Sequence, residues 1–144
     1  MNIKSLVFVV ILGVFGCKDA IVPMAIEPSI KLISVAPSTV RVFADSLVFN
    51  ISYTDGDGDL GENNSNAQNL FIKDNRINIT YNYRINQLSP AAVPIQGTLS
   101  VVLKNTGITD QSNSQQVSFD IFVRDRAGHE SNKITTNSIT ITKN

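Results

Sequence analysis

Residues 117–124 read Val-Ser-Phe-Asp-Ile-Phe-Val-Arg, and this stretch decides the fold class. Its odd-numbered positions, 117 to 123, are all apolar, while positions 118, 120 and 124 are polar or charged. Successive side chains of a β-strand point to opposite faces of a sheet, so a period of two predicts a strand with one buried face. The single departure is Phe122, which falls on the outward phase and is expected to be exposed.

The same pattern extends outward along the chain. Apolar residues alternate with polar ones, or form short strand-like runs, in residues 30–35, 40–43, 47–53, 76–85, 99–103 and 134–141. Helical spacing is not sustained anywhere after Cys17. About seven strands predict an all-β fold over residues 29–144, of the immunoglobulin-like or fibronectin-like antiparallel sandwich class. The chain has no Trp, so it lacks the Cys…Trp…Cys pattern of antibody domains.

The N-terminus reads as a targeting segment. Lys4 precedes an apolar run over residues 6–15, which is too short to span a bilayer and typical of a signal peptide. The run ends in Val-Phe-Gly-Cys at residues 14–17, which resembles the lipobox of bacterial lipoproteins, although Phe15 is larger than usual at its position. The resemblance implies removal of residues 1–16 and lipidation of Cys17. The alternative is an ordinary signal peptide followed by an unrelated cysteine.

Lipidation would make membrane lipid the first partner of this chain, through acylated Cys17, with residues 17–28 as an extended tether. The expected location is the cell envelope, as an outer-membrane lipoprotein. The Lys18–Asp19 pair is similar to a partial surface-export tag, which favours surface exposure over a periplasmic orientation without deciding between them. Twelve basic and twelve acidic residues leave no basic field to attract nucleic acid, so no nucleic-acid partner is expected.

An acidic loop, Asp-Gly-Asp-Gly-Asp-Leu-Gly-Glu at residues 55–62, is the main candidate site. Aspartates at alternate positions, separated by glycines, can direct several carboxylates at one point on a tightly curved backbone. Calcium prefers six to eight such oxygen ligands. The loop departs from an EF-hand because Leu60 replaces the required glycine and Asn66 the bidentate glutamate. The alternative is a solvated polar loop in which the Gly-Asp pairs only make turns.

Further calcium ligands must come from elsewhere in the chain. If residues 47–53 and 117–123 are the second and sixth strands of a Greek-key sandwich, the loops after them lie at the same end. This topology nominates Asp125, and Asp74 is a further possibility. The predicted calcium ligands are Asp55, Asp57, Asp59, Glu62 and Asp125.

Two segments together with the lipobox carry a family resemblance. They are Tyr-Thr-Asp-Gly-Asp-Gly-Asp-Leu-Gly at residues 53–61 and Val-Arg-Asp-Arg-Ala-Gly-His-Glu-Ser-Asn at residues 123–132. In this combination the chain resembles small Bacteroidetes-type lipoproteins that carry an immunoglobulin-like domain. The resemblance implies the anchored domain and its calcium loop, but no reaction.

The sequence argues against an enzyme. His129 is the only histidine and lies in a predicted turn, the only cysteine is assigned to lipid, and the acidic residues share one loop rather than facing each other across a cleft. The leading hypothesis is a non-enzymatic binding or adhesion module whose partner is an envelope protein or a glycan. The alternative is a structural accessory subunit or spacer of an outer-membrane complex, in which calcium only stabilises the fold.

Overall fold

A computed structural model describes residues 23–143. The predicted signal peptide, residues 1–16, and Cys17 therefore lie outside the described residues. Within residues 23–143 the chain forms strands and no helix, so no described helix is long and apolar enough to cross a membrane. In chain order the strands are β1 Ser29–Ala36, β2 Thr39–Arg41, β3 Leu47–Asp55, β4 Leu70–Asp74, β5 Ile79–Tyr83, β6 Ile95–Leu103, β7 Ser114–Val117, β8 Phe119–Val123, β9 Ile134–Thr135 and β10 Ile139–Thr142.

The strands form three sheets with the orders β1-β3-β6, β2-β10-β7 and β5-β4-β8-β9. All pairs are antiparallel except β2 with β10. Only Ser118 separates β7 from β8, so one run of chain pairs first with β10 and then with β4. The single strand predicted over residues 117–123 is therefore divided between two sheets.

One apolar core joins the three sheets. Phe49 of β3 and Phe119 of β8 meet edge to face with ring centroids 5.5 Å apart, and both side chains are fully buried. Ile141 of β10 belongs to the same buried cluster. The prediction of an all-β fold is confirmed, and a core shared between sheets is consistent with a β-sandwich.

The prediction for residues 76–85 is only partly correct. Tyr81 and Tyr83 pack against the core as expected, but Ile77 and Ile79 are 37% and 51% exposed. The N–H of Asn78, which has a φ of 56°, donates to the carbonyl of Asp74 over 2.9 Å. This hydrogen bond closes a turn over residues 75–78, so strand β5 begins only at Ile79. Ile79 is exposed because it is the first residue of an edge strand.

Phe122 lies on the outward phase as predicted, but its ring is not isolated. It stacks on Phe71 of β4 with ring centroids 4.7 Å apart, and the guanidinium of Arg124 lies 5.1 Å from the centre of the Phe71 ring. This small cluster covers part of the outer face of the sheet formed by β5, β4, β8 and β9.

Candidate metal centre

Asp55 ends β3 and turns the chain into the acidic loop. Its side chain is fully buried, and its Oδ2 accepts a 2.8 Å hydrogen bond from the backbone N–H of Leu60. Gly58 and Gly61 have φ values of 74° and 88°, which favour glycine. At Gly58 a Cβ atom would lie 2.1 Å from the carbonyl oxygen of Val93, so any larger residue would displace the loop. The positive φ angles of Gly58 and Gly61 thus allow residues 55–61 to form a compact loop.

The loop brings the three aspartates together. One carboxylate oxygen each from Asp55, Asp57 and Asp59 lies within 4.8 Å of the others. In each of the three residues Oδ1 is buried and has no hydrogen-bond partner. Across the described part of the chain, only the hydroxyl of Thr106 shares this condition. A buried carboxylate oxygen without a partner is costly, and neighbouring carboxylates repel each other, so this cluster could hold a cation.

The hairpin at residues 124–132 lies against the acidic loop. The N–H of Ala127 donates to Oδ2 of Asp59 over 3.0 Å, and the Arg126 guanidinium donates to the carbonyl of Gly61 over 2.7 Å. Gly128 has a φ of 94°, in agreement with the tight connection expected at Ala127–Gly128. The acidic loop and this hairpin therefore lie side by side, as predicted.

Asp125 is adjacent to the aspartate cluster but engaged elsewhere. Its carboxylate is buried, with Oδ1 accepting from the backbone N–H of His129 over 2.8 Å and Oδ2 lying 2.9 Å from the His129 Nδ1. Neither Asp125 nor Glu62 joins the group of mutually close carboxylates found within residues 23–143. The structure fixes Glu62 through its backbone, since its N–H donates to the carbonyl of Ile85 over 2.9 Å.

The prediction that Asp74 could be a further calcium ligand is wrong. It lies at the far end of β4, the strand that leads away from the acidic loop, and forms a two-point ion pair with Arg76 at 3.1 and 2.6 Å. Both groups are largely shielded from water, so Asp74 already has a complete partner. The direction of the strand, rather than distance along the sequence, removes it from the site.

Two interactions around the loop were not predicted from the sequence. The side chain of Asn69 is buried and bridges to Ile85, with Oδ1 accepting from its N–H over 2.6 Å and Nδ2 donating to its carbonyl over 3.2 Å. This amide fixes the end of the loop to the end of β5. An asparagine at the start of a strand carries no sequence signal for such a role.

The second is contact with the N-terminal segment. A Cβ atom at Gly56 would lie 2.3 Å from the carbonyl oxygen of Ala25 and 2.5 Å from that of Met24. Nearby, the Asn132 amide exchanges 2.8 and 2.9 Å hydrogen bonds with the backbone of Ile30. The end of the predicted tether therefore packs against the acidic loop, and Gly56 is the residue that permits this close approach.

Burial and mutual repulsion set the electrostatics of the cluster. Burial raises the pKa of Asp55, and the charges of Asp57, Asp59 and Asp125 raise it further. Burial also raises the pKa of Asp59, with the charge of Asp125 as the next cause. The hydrogen bond to Asp125 raises the pKa of His129. The metal-free site therefore retains protons more strongly than the same residues would in an unfolded chain.

This electrostatic situation predicts how stability depends on pH without calcium. Aspartates with raised folded-state pKa values bind more protons when folded, so stability falls as pH rises above their ordinary value of 3.8. The stabilisation from His129 is present below 6.5 and is lost as pH rises through its raised pKa. In calcium-free buffer, we expect the urea concentration at the unfolding midpoint to decrease as the pH rises from 4.5 to 8. With saturating calcium the acid side of this trend should reverse, because calcium binds the deprotonated carboxylates. A metal-free midpoint that rises over this interval would contradict the prediction.

No protein-family model, curated protein or solved structure matches this chain. The chemistry of the cluster itself indicates which ions it suits. An oxygen-only set of carboxylates, with no thiolate and no imidazole in the group, suits a hard cation such as Ca²⁺ rather than Zn²⁺ or Cu²⁺.

Proposed function

We propose that this chain is a lipid-anchored, non-enzymatic protein of the cell envelope whose β-sandwich binds calcium at Asp55, Asp57 and Asp59. The observation that carries the calcium proposal is the cluster of Asp55, Asp57 and Asp59, in which each residue also has one buried carboxylate oxygen without a hydrogen-bond partner. A divalent cation would neutralise their repulsion and satisfy all three at once. The lipid anchor at Cys17 rests on the lipobox-like sequence alone.

The remaining ligands are part of the proposal. Asp125 is close enough for its charge to raise the pKa values of Asp55 and Asp59, and Glu62 follows directly on the loop. We therefore keep both as proposed contributors to the calcium shell. Backbone carbonyls and water would complete the six to eight oxygens that calcium prefers.

The immunoglobulin-like assignment is also proposed. The sheet β1-β3-β6 corresponds to one sheet of such a sandwich. The sheets β2-β10-β7 and β5-β4-β8-β9, which the chain joins at Ser118, together correspond to the facing sheet. The parallel pairing of β2 with β10 and the contact of Phe49 with Phe119 support this correspondence. In this arrangement the acidic loop and the hairpin at residues 124–132 lie at one end.

A binding or adhesion module is the function we place first. Calcium at the acidic loop would hold it and the adjoining hairpin rigid, and preorganised loops bind partners at lower entropic cost. The partner classes are an envelope protein or a glycan. The structural alternative, an accessory subunit or spacer with a purely stabilising calcium, is supported by the packing of Met24 and Ala25 on Gly56, because it joins the acidic loop to the described end of the proposed tether.

Calcium binding is tested by calorimetry and thermal unfolding of the full chain in detergent. Calcium at about 100 times its Kd is expected to add about 2.7 kcal/mol of stability, which corresponds to a rise in Tm of roughly 10 °C for a domain of this size. Asp57→Asn should remove both the binding heat and the rise in Tm. Asp110→Asn is the matched control, because Asp110 lies in an exposed loop outside the cluster. A wild-type chain with neither heat nor shift would overturn the calcium proposal.

Co-purification of the intact protein separates the two functional candidates. A stoichiometric membrane protein that remains bound in chelator supports the accessory subunit. A glycan or external protein that is released by chelator supports the binding module. Asp57→Asn should release the partner only in the second case, because only there is the calcium-ordered loop required for recognition.

A further inference from the structure

Residues 24–27, which we call the strap, lie against the acidic loop at a single glycine. The three nearest neighbours of a Cβ atom at Gly56 would all belong to the strap, with the carbonyl oxygens of Ala25 and Met24 at 2.3 and 2.5 Å. Gly56 stands between two aspartates of the cluster. The strap therefore touches the loop at the point where its backbone passes from one proposed calcium ligand to the next.

Packing, rather than hydrogen bonding, holds the strap in place. Within the described chain, hydrogen bonds begin only after it, where the Ser29 hydroxyl and the Ile30 N–H donate to Oδ1 of Asn132 over 3.2 and 2.8 Å. All four residues of the strap are exposed to solvent. A segment with so few attachments is ordered only while the surface beneath it keeps its shape. The position of the strap therefore depends on the conformation of the acidic loop.

The carbonyl groups of the strap make this dependence electrostatic. At Gly56 the carbonyl oxygen of Ala25 is closer to the loop than its carbon, at 2.3 against 2.7 Å, so the negative end of the dipole faces the loop. The Met24 oxygen has the same approach. Beside the uncompensated carboxylates of Asp55 and Asp57 such dipoles are unfavourable, and beside a bound cation they are favourable.

Glu27 adds a full negative charge at the same end of the domain. The hydrogen bond and the charge of Asp125 are the main causes that raise the pKa of His129, and the charges of Glu27 and Asp57 raise it further. Glu27 and Asp57 therefore both lie near the same imidazole, and their like charges repel each other. A cation at the cluster would offset this repulsion, so it favours the docked strap for a second reason.

We infer that calcium at the aspartate cluster holds the strap on the domain, and that the docked strap in turn strengthens calcium binding. The coupling is reciprocal, because a factor by which calcium favours docking is also the factor by which docking raises calcium affinity. The inference rests on the proposed calcium site and extends it to a segment that contributes no side-chain ligand. With the site filled, the point at which the preceding chain joins the domain is fixed.

Gly56→Ala tests the effect of the strap on calcium. Gly56 is not among the glycines with a positive φ, so alanine is compatible with its backbone, and the added methyl group would occupy the place of the strap carbonyls. We expect the calorimetric Kd for calcium, measured on the full chain in detergent, to rise about ten-fold. Gly107→Ala is the matched control and should leave Kd unchanged. Its methyl group would meet the exposed Phe43 ring, which precedes β3 at the end opposite the acidic loop.

Ile26→Trp tests the effect of calcium on the strap. The chain has no tryptophan, so this residue is a single fluorescent reporter, and Ile26 is 49% exposed, so a larger ring can be accommodated. We expect the fluorescence anisotropy to be higher in calcium than in chelator, because a docked strap turns with the domain whereas a released one moves within nanoseconds. With Gly56→Ala added, the anisotropy should stay low in both buffers.

The outcomes separate this inference from the calcium proposal. If the unsubstituted chain binds calcium but Gly56→Ala has the same Kd, or if the anisotropy is equal in both buffers, calcium binding stands and the coupling is overturned. If the unsubstituted chain gives no binding heat, both are overturned. Equal Tm values of Gly56→Ala and the unsubstituted chain in chelator show that the variant is folded. If its Tm is lower, the anisotropy of Ile26→Trp alone decides.

Discussion

Phe119→Ala is expected to lower the free energy of unfolding by about 3–5 kcal/mol, which is the largest single-residue effect we predict. The Phe119 side chain is fully buried and meets Phe49 across the core, so its removal leaves a cavity between the sheets as well as an unpaired ring. Single domains are stable by only about 5–15 kcal/mol, so the variant should unfold at a much lower urea concentration. The change should appear in the urea midpoint with little change in the slope of the transition.

The control for this prediction lies three residues along the same strand. Phe122→Ala removes a ring of the same size from the outer face, where it stacks on Phe71 and is only partly buried. We expect this variant to lose about 1–2 kcal/mol, because such aromatic pairs contribute about 0.5–1.5 kcal/mol beyond their burial and Phe122 is only partly buried. Equal losses for the two variants would mean that strand β8 does not face the core as the structure describes.

The contrast between these two phenylalanines shows what sequence periodicity can establish. A period of two assigns Phe119 to the buried face and Phe122 to the outer face, and both assignments are correct. Periodicity carries no information on which strands become neighbours. It therefore did not reveal that the chain changes sheets at Ser118, nor that Phe122 would find Phe71 on the adjacent strand.

At the acidic loop, too, the sequence predicted some features correctly and others not. The Asp-Gly repeat and Greek-key topology were enough to predict that Asp55, Asp57 and Asp59 cluster and that the hairpin bearing Asp125 lies beside them. Asp74, which was named only as a further possibility, lies at the far end of β4, away from the loop, and is paired with Arg76.

Other parts of the site depend on contacts between residues far apart in the chain. Asn69 binds Ile85, and Asn132 binds Ile30, through amide groups whose partners are fixed only once the sheets have assembled. The packing of Met24 and Ala25 on Gly56 has the same origin. Sequence patterns report the environment of one element at a time, so interactions of this kind could not be predicted from them.

Asp55→Asn is expected to change stability in opposite directions with and without calcium. In chelator, the substitution removes a buried negative charge that repels Asp57 and Asp59, while the amide oxygen can still accept the hydrogen bond from Leu60. We therefore expect the metal-free variant to be more stable than the unsubstituted chain by about 1 kcal/mol. In saturating calcium the variant lacks a ligand, so it should lose most of the roughly 2.7 kcal/mol that calcium at about 100 times Kd provides.

Urea midpoints of both proteins, measured in calcium and in chelator, give the four values that this prediction requires. Asp110→Asn serves as the control. It can lose hydrogen bonds with Ser112 and Gln115, but by the same amount in both buffers, so its calcium-dependent change in stability should equal that of the unsubstituted chain, because Asp110 lies outside the cluster. A solvated polar loop would give small changes of the same sign in both conditions, since no ion would depend on Asp55. If the stability change caused by Asp55→Asn reverses sign on adding calcium, the Asp55 carboxylate must destabilise the empty site and bind the ion in the filled one. The stabilities of this one variant thus separate a metal site from a loop that is merely acidic.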